Sequence, residues 1–288
     1  MFTGVGTALI TPFTEDCVDY AALEKIIEFQ IKGKVDALVV LGTTGEPATM
    51  SEQERKEVLQ FAIKKVSGRI PVIAGTGCNN TSAAIRLSIE AEQFGADGLL
   101  IVTPYYNKAT QEGLVAHYNA IADSVGIPII CYNVPGRTGL NMLPQTFAKI
   151  AEHKNIAAMK EASGNIEQII EMCRLTRGKA NIYSGDDGII LPVMAVGGIG
   201  VISVASNVIP SYVKDITDSY IDGDYNKALE LQYKMSPLVK ALFCEVNPIP
   251  VKKAAEFMGL CSARMRLPLT EMTRVNAEIL EKVLRDFI

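Results

Sequence analysis

A lysine at the end of an apolar run is the residue whose type and position most suggest chemistry. The segment IAAMKE, residues 156–161, starts as a buried strand would and then places Lys160 near its end. Burial disfavours an ammonium ion and lowers its pKa, and a neutral amine can attack a carbonyl carbon to form a Schiff base. The alternative is a lysine whose stem is buried while its ammonium reaches water. The local sequence leaves both interpretations open.

Other polar side chains also follow apolar runs. Tyr132 in PIICYNVP can shuttle a proton, although a single tyrosine is more often an amphipathic core residue. Arg137 in VPGRTG can bind a carboxylate through two hydrogen bonds, but an isolated arginine more commonly forms a surface salt bridge. Thr43 and Thr44 in GTTGE can hold a carboxylate or relay a proton. Their alternative role is a turn into a helix whose glycines serve backbone geometry.

Three further motifs have a more ordinary structural interpretation. We expect Glu46 to orient its loop through hydrogen bonds rather than to act as a base. The pair Asp186–Asp187 could bind magnesium, but neighbouring strand residues point to opposite faces, so helix capping is favoured. The sequence GGIG, residues 197–200, could cradle a phosphate, and we expect it instead to allow close backbone packing where a strand begins.

Eight apolar runs could position these groups, and most are continuous, which is typical of parallel strands covered on both faces. They begin at Gly4, Ala37, Pro71, Gly98, Pro128, Ile156, Asn181 and Gly200. Their starts lie roughly 20 to 35 residues apart, the size of a βα unit. The pattern predicts an α/β fold, a (β/α)8 TIM barrel, whose active site lies at the carboxyl ends of the strands. An open doubly wound sheet is the alternative, but Pro12 and Phe13 stand where its glycine-rich fingerprint would be.

Amphipathic segments between the runs carry helix-start signals. Asp19 is a candidate N-cap, and Ser51 with Glu54 predicts a capping box. After about Asp222, three helical segments follow without a strand between them.

The change of pattern near that position suggests two domains. Residues 1–222 would form the barrel with the active site, and residues 223–288 a C-terminal helical domain.

Composition argues against several classes of protein. The net charge of −4 leaves no basic footprint for a nucleic acid. Two histidines and six cysteines without a CxxC pair supply neither a zinc motif nor a disulfide framework, which fits a cytoplasmic location. The first residues lack the features of a signal peptide. The uncharged stretch from Gly188 to Val213 is long enough for a bilayer, but its prolines, glycines and polar residues predict a short helix, a turn and a strand.

Together these motifs resemble the dihydrodipicolinate synthase family, part of the pyruvate-dependent class I aldolases that include N-acetylneuraminate lyase. The resemblance spans nearly the whole chain through GVGTALITPF, GTTGEPATMS, VIAGTG, TPYYNK, YNVPGRTG, KEASGN, SGDD, GVISVASN and NPIPVK. The barrel motifs are shared by the superfamily, whereas GTTGE, the double tyrosine and the arginine of YNVPGRTG point to the synthase. The resemblance implies condensation of pyruvate with L-aspartate 4-semialdehyde and cyclisation, the first committed step of lysine and diaminopimelate biosynthesis.

The resemblance also implies roles for the candidate residues. Lys160 would form the Schiff base with pyruvate, and Tyr132 and Thr43 would belong to a proton relay. Thr44 would hold the pyruvate carboxylate, and Arg137 the carboxylate of the semialdehyde. No metal or organic cofactor would be needed.

The remaining roles that the resemblance implies involve subunit contacts and pocket backbone. Tyr106 would complete the proton relay from across a subunit interface, so at least a dimer is expected, and a homotetramer built as a dimer of dimers. Gly185 and Ile202 would line the pocket through backbone groups. Neither a nucleic acid nor a membrane is an expected partner.

Feedback control is the property for which this chain departs from the family pattern. Lysine-sensitive bacterial members bind lysine at the dimer interface, near the positions of Asn79 and Tyr105. Glu52 and Arg55 stand where those members carry histidines, and Ala83 where they carry an acidic residue. We therefore expect weak or absent inhibition by lysine.

Two other functions need to be weighed. A lyase for sialic acid or a 2-keto-3-deoxy sugar acid would need groups for a polyhydroxy chain, whereas Arg137 suits a short carboxylated aldehyde better. A non-catalytic metabolite-binding barrel would not need Lys160, Tyr132, Thr43 and Tyr106 together.

Overall fold

Eight strands close into a parallel barrel in chain order, and the computed structural model describes all residues from 1 to 288. The strands are β1 Gly4–Ala8, β2 Ala37–Val40, β3 Val72–Gly75, β4 Gly98–Val102, β5 Ile129–Asn133, β6 Ile156–Glu161, β7 Asn181–Ser184 and β8 Gly200–Ser203. Parallel pairing of β1 with β8 closes the barrel. Each predicted run forms a strand, so the TIM barrel is confirmed and the open sheet was the wrong alternative.

Helices connect the strands and continue after the last one. They are α1 Tyr20–Lys32, α2 Glu52–Val66, α3 Thr81–Gln93, α4 Gln111–Ala122, α5 Pro135–Thr138, α6 Pro144–Ile150, α7 Ile166–Thr176, α8 Ile190–Ala195, α9 Pro210–Ile221, α10 Tyr225–Leu242, α11 Ile249–Phe257 and α12 Arg274–Leu284. The Asp19 carboxylate accepts a hydrogen bond from the Ala22 N–H at 2.9 Å. Ser51 and Glu54 form the predicted capping box at the start of α2.

The uncharged stretch from Gly188 to Val213 contains α8, a turn and β8, as the interrupting residues predict. No helix in the chain is both long enough and apolar enough to cross a lipid bilayer. The GGIG sequence packs backbone against backbone, because a Cβ atom on Gly200 would lie 1.9 Å from the Gly4 carbonyl oxygen. Glycine at this position therefore lets β8 approach β1, which confirms the packing interpretation.

The register between β5 and β6 decides which side chains share a face of the barrel wall. Tyr132 pairs with Lys160, and Asn133 pairs with Glu161. Because successive strand side chains alternate, Tyr132 and Lys160 lie on one face and Asn133 and Glu161 on the other. On that second face the fully buried Glu161 accepts hydrogen bonds from Asn133 Nδ2 at 2.9 Å and from the Ser163 N–H at 2.7 Å. Glu161 is thus separated from Lys160, as the strand pattern predicts.

Residues after β8 reach back to the loops that follow the barrel strands. Gln232 in α10 donates a hydrogen bond to the Asp187 carbonyl at 3.0 Å. Asn247, just before α11, donates from Nδ2 to the Thr44 hydroxyl at 3.0 Å. The C-terminal helices therefore contact the loops after β2 and β7 directly.

Candidate active site

Lys160 is buried at the carboxyl end of β6, with 5% of the residue exposed. Its Nζ lies 4.5 Å from the centroid of the Tyr132 ring. Burial lowers the pKa of Lys160 from 10.5 to about 8, an effect that the Asp187 charge opposes and the Arg137 charge reinforces. The amine does not reach solvent as a rim lysine would, so an appreciable neutral fraction is available for attack on a carbonyl group.

Asp187 caps backbone rather than forming a metal site with its neighbour. Its Oδ2 accepts hydrogen bonds from the N–H groups of Val204 and Ala205 at 3.0 and 2.9 Å. The preceding Asp186 accepts from the Gly188 N–H at 2.7 Å. The capping interpretation is therefore confirmed for Asp186, whereas Asp187 holds the loop after β8. Burial raises the pKa of Asp187, and its Oδ1 has no hydrogen-bond partner.

Tyr132 is buried near three other residues of the site, Lys160, Thr43 and Arg137. Burial raises the pKa of its phenol, whereas the Arg137 charge and hydrogen bonding to the Thr43 side chain lower it. The charge of Glu161 raises it further. Tyr132 thus contacts the Thr43 side chain and lies with its ring 4.5 Å from the Lys160 amine.

A cavity of about 370 Å³ opens at this end of the barrel. Its wall includes Thr43, Tyr132 and Arg137. Lys160 lies next to that wall, beside the Tyr132 ring. A cavity of this size, with an apolar wall and a few polar groups, suits a small metabolite.

Three predicted site residues are not part of the cavity wall: Thr44, Gly185 and Ile202. Thr44 is 3% exposed, and Ile202 is fully buried in β8. A Cβ atom on Gly185 would lie 3.1 Å from Lys160 Cγ, so Gly185 leaves room for the lysine stem.

The GTTGE loop is a short 3₁₀ turn, Thr43–Gly45, between two residues in the left-handed region. Leu41 has φ 60° and Glu46 has φ 55°, which is unusual for side chains of that size. The neighbouring β3 ends in glycine because a Cβ on Gly75 would lie 2.2 Å from the Leu41 carbonyl oxygen. In this loop Thr43 lines the cavity, whereas Thr44 is buried behind it and its hydroxyl accepts a hydrogen bond from Asn247.

Arg137 is exposed on α5 and forms no salt bridge within the chain, so the surface-pair interpretation is wrong. One guanidinium nitrogen donates to the Asn247 carbonyl at 3.0 Å. The other donors of the guanidinium are free to bind a carboxylate at the cavity.

Tyr106 is the predicted site residue that the single chain does not bring to the others. It is 90% exposed, has φ 72° and lies outside the cavity wall. The preceding Tyr105 is 40% exposed and does line the cavity.

Two residues of the site were missed from sequence. Asn247 links the site through its amide to Thr44 and through its carbonyl to Arg137. Lys252 in α11 forms an ion pair with Glu46 at 2.7 Å, and both side chains are buried. The only local signal for Lys252 is its position after an apolar run in NPIPVKKAAEF, residues 247–257. The same segment is equally typical of an ordinary helix with exposed lysines.

Comparisons with known proteins agree on one group of relatives. The model of the dihydrodipicolinate synthetase family matches residues 1–286. A 4-hydroxy-tetrahydrodipicolinate synthase of Caldicellulosiruptor bescii is 53% identical over 288 residues, which covers 100% of this chain and 97% of the relative. The dihydrodipicolinate synthase structure from Thermotoga maritima has a TM-score of 0.98 at 44% identity, covering 99% and 98% of the two chains.

A second solved structure shows such a relative with a small molecule bound. The chloride-inhibited dihydrodipicolinate synthase from Acinetobacter baumannii, complexed with pyruvate, has a TM-score of 0.98 at 42% identity and full coverage of both chains.

Proposed function

Because this chain belongs to the dihydrodipicolinate synthetase family, we propose a role for each of its site residues in a reaction that begins at Lys160. The activity is that of a 4-hydroxy-tetrahydrodipicolinate synthase, a lyase-type enzyme that condenses pyruvate with L-aspartate 4-semialdehyde. This reaction serves lysine and diaminopimelate biosynthesis. One observation carries the mechanism: a buried amine with a pKa of about 8 lies 4.5 Å from the ring centroid of a tyrosine on the neighbouring strand.

The first half of the reaction joins pyruvate to the enzyme. The neutral amine of Lys160 attacks the keto carbon, and after proton transfers the former carbonyl oxygen leaves as water, so that an imine forms. The Tyr132 phenol and the Thr43 hydroxyl carry those protons. Thr44 binds the pyruvate carboxylate by donating from its hydroxyl, whose oxygen accepts a hydrogen bond from Asn247 Nδ2.

The second half makes a carbon–carbon bond and then releases the lysine. The imine draws electrons from the methyl carbon, which loses a proton to give an enamine. The enamine attacks the aldehyde carbon of the semialdehyde, whose oxygen takes up a proton, while Arg137 binds its carboxylate. The amino group of the semialdehyde then attacks the imine carbon, the bond to Lys160 breaks, and the ring closes. Gly185 keeps space for the stem of Lys160 during these steps, and Ile202 stays buried in β8 outside the cavity wall.

Tyr106 completes the proton relay from a partner subunit. Its 90% exposure within one chain and its absence from the cavity wall support a role in a neighbouring site rather than in its own. A homotetramer made of two such dimers is the assembly that we propose. Within each subunit, we assign catalysis to a barrel domain of residues 1–222 and support of the site to a helical domain of residues 223–288.

Trapping with borohydride tests the mechanism. The protein is incubated with pyruvate and borohydride, digested, and its peptides are weighed. A reduced pyruvate adduct on Lys160 is expected, and none on Lys154, an exposed lysine just before β6. The absence of an adduct on Lys160 would rule out Schiff-base chemistry. Comparing L-aspartate 4-semialdehyde with sugar acids as the second substrate then separates the synthase from other pyruvate aldolases.

A further inference from the structure

A buried ion pair that the reaction itself does not use lies beside the catalytic threonines. Lys252 Nζ is 2.7 Å from Glu46 Oε1, and the side chains are 0% and 1% exposed. Glu46 belongs to the GTTGE loop, whereas Lys252 comes from α11, 206 residues further along the chain. The pair therefore joins the catalytic loop to the C-terminal helices.

Burial of the two charged groups costs free energy of desolvation, so stability alone does not explain why the chain contains this ion pair. Burial raises the pKa of Glu46 and lowers that of Lys252, and the attraction between the two charges opposes both shifts. Glu46 Oε2 has no hydrogen-bond partner. Well-packed apolar residues at such positions are often at least as stabilising as a buried ion pair.

Glu46 is well placed to control the threonines. It directly follows the 3₁₀ turn, and its N–H donates to the Thr43 carbonyl at 3.2 Å. Its φ of 55° lies in the left-handed region, which is unfavourable for a residue with a side chain. A contact that holds the Glu46 side chain therefore also holds the turn in a backbone conformation that it would not favour alone.

Other contacts from the same part of the chain hold this loop and the segment that follows it. Asn247 binds the Thr44 hydroxyl at 3.0 Å. Arg266 forms two hydrogen bonds to Glu54, at 2.6 and 2.9 Å, and one to the Thr49 carbonyl at 3.3 Å.

The cations of this region also share one aromatic ring. Lys252 Nζ and Arg266 Cζ each lie 4.3 Å from the centroid of the Phe13 ring, close enough for cation–π attraction. Two independent contacts, with the Phe13 ring and with the Glu46 carboxylate, therefore fix the position of the Lys252 side chain, which can in turn fix that of Glu46.

We propose that Lys252 is a positioning residue for the condensation: through its ion pair with Glu46 it holds the hydroxyls of Thr43 and Thr44 in register with Lys160 and pyruvate. This rests on the proposed function, in which Thr43 relays protons and Thr44 binds the pyruvate carboxylate. A small displacement of either hydroxyl would slow the chemistry while leaving the Lys160 amine in place.

The test is a double-mutant cycle between the ion pair and Thr43. Lys252→Met alone leaves Glu46 as an unpaired buried carboxylate and can unfold the protein. The double variant Glu46→Gln/Lys252→Met removes both charges and is the principal probe. This double variant is made both with and without Thr43→Val. The matched control is Lys253→Met on the same helix, because Lys253 pairs with Glu256 near the surface.

For each protein, kcat and the pyruvate KM are measured on the folded fraction, together with borohydride trapping at Lys160. We expect the double variant to keep the adduct but to lose about 10- to 100-fold in kcat, the scale of loss from a displacement of roughly 1 Å. In the Thr43→Val background the same change should lower kcat by less than about twofold, because the ion pair affects the proton relay through Thr43; displacement of Thr44 should raise the pyruvate KM instead. Lys253→Met should match the unmodified protein.

Three results would overturn the inference. One is an unchanged kcat in the double variant. Another is the same fold loss with and without Thr43, which would mark a general structural effect. In both cases a loss of activity from Thr43→Val alone leaves the proposed function standing. If Thr43→Val keeps full activity, the proton relay is wrong, and the role of Lys252 is wrong with it.

Discussion

Lys160 and Tyr132 are register partners on adjacent strands, and the Lys160 amine lies 4.5 Å from the centroid of the tyrosine ring. The negative face of an aromatic ring favours an ammonium ion, whereas burial disfavours it. Burial lowers the pKa of Lys160 to about 8, and the nearby charge of Asp187 opposes this shift. Barrel closure thus keeps the amine close to deprotonation and next to a tyrosine whose hydroxyl can donate and relay protons.

The first prediction concerns the pH dependence of stability. Between the folded-state pKa of about 8 and the ordinary value of 10.5, the unfolded chain holds a proton on Lys160 that the folded chain has released. Stability therefore rises with pH in this window, and Lys160→Met should remove that rise. From about pH 7 to about pH 10, the free energy of unfolding of the native protein should gain about 2.5 kcal/mol relative to the variant. Urea unfolding measures this, and parallel pH curves would contradict it.

The second prediction is that Tyr132→Phe separates the ring from its hydroxyl. The ring still packs against Lys160, but proton transfer is lost, so kcat should fall by about 10² to 10⁴. Tyr118→Phe is the matched control, because Tyr118 is buried and is not part of the cavity wall. Its hydroxyl donates a hydrogen bond of 2.9 Å to the Ile101 carbonyl. This control substitution should cost about 1 kcal/mol of stability and leave kcat unchanged. Steady-state kinetics and thermal melts of both variants decide, and a Tyr132→Phe enzyme with native kcat would exclude the relay.

The third prediction concerns the second substrate. Arg137→Lys keeps the charge but loses the two-pronged grip on a carboxylate, so the KM for the semialdehyde should rise about 10-fold or more. Borohydride trapping of pyruvate should proceed as before. Arg174→Lys, at an exposed arginine paired with Glu171, should behave as the native enzyme. A rise in the pyruvate KM alone would contradict this prediction, because Arg137 would then bind pyruvate rather than the semialdehyde.

The fourth prediction tests whether Tyr106 acts in a neighbouring subunit. Lys160→Met and Tyr106→Phe should each be nearly inactive. In a mixed dimer, one site would then combine an intact Lys160 with an intact Tyr106 of the partner subunit. Equal mixing and reassembly should restore about a quarter of the native activity, since half the dimers are mixed and half of their sites are intact. If Tyr106 serves its own subunit, mixing restores nothing.

The fifth prediction is that lysine inhibits this enzyme weakly or not at all. Glu52 is engaged by Arg86 at 2.8 Å, and Ala83 in α3 offers no charge to an amino group. A titration of activity with lysine should stay near its starting value. A curve that falls to zero below about 1 mM, a binding free energy near −4 kcal/mol or better, would contradict this.

The barrel could be predicted from sequence because each element carries its own local signal. Continuous apolar runs mark the strands, and residues such as Asp19 and Ser51 mark the helix starts. The nearness of Lys160 to Tyr132 followed from strand order alone, since both end neighbouring parallel strands. Thr43 and Arg137 could be placed at the same mouth for the same reason.

The support for the site could not be predicted in this way. Lys252 and Lys253 are adjacent, and only the packing of α11 decides that the first is fully buried while the second stays near the surface. The contact between Asn247 and Thr44 spans 203 residues and has no periodic pattern behind it. The role that we propose for Tyr106 involves a second chain, and no pattern within one chain predicts its position there.

The opposite orientations of Lys160 and Glu161 restrict how this chain can vary in length during evolution. A single-residue insertion or deletion within β6 would turn every following side chain of the strand to the other face. In one direction it would place the carboxylate of Glu161 where the amine must stand. Descendants can therefore exchange residues in β6, but changes of length are confined to the loops on either side of it.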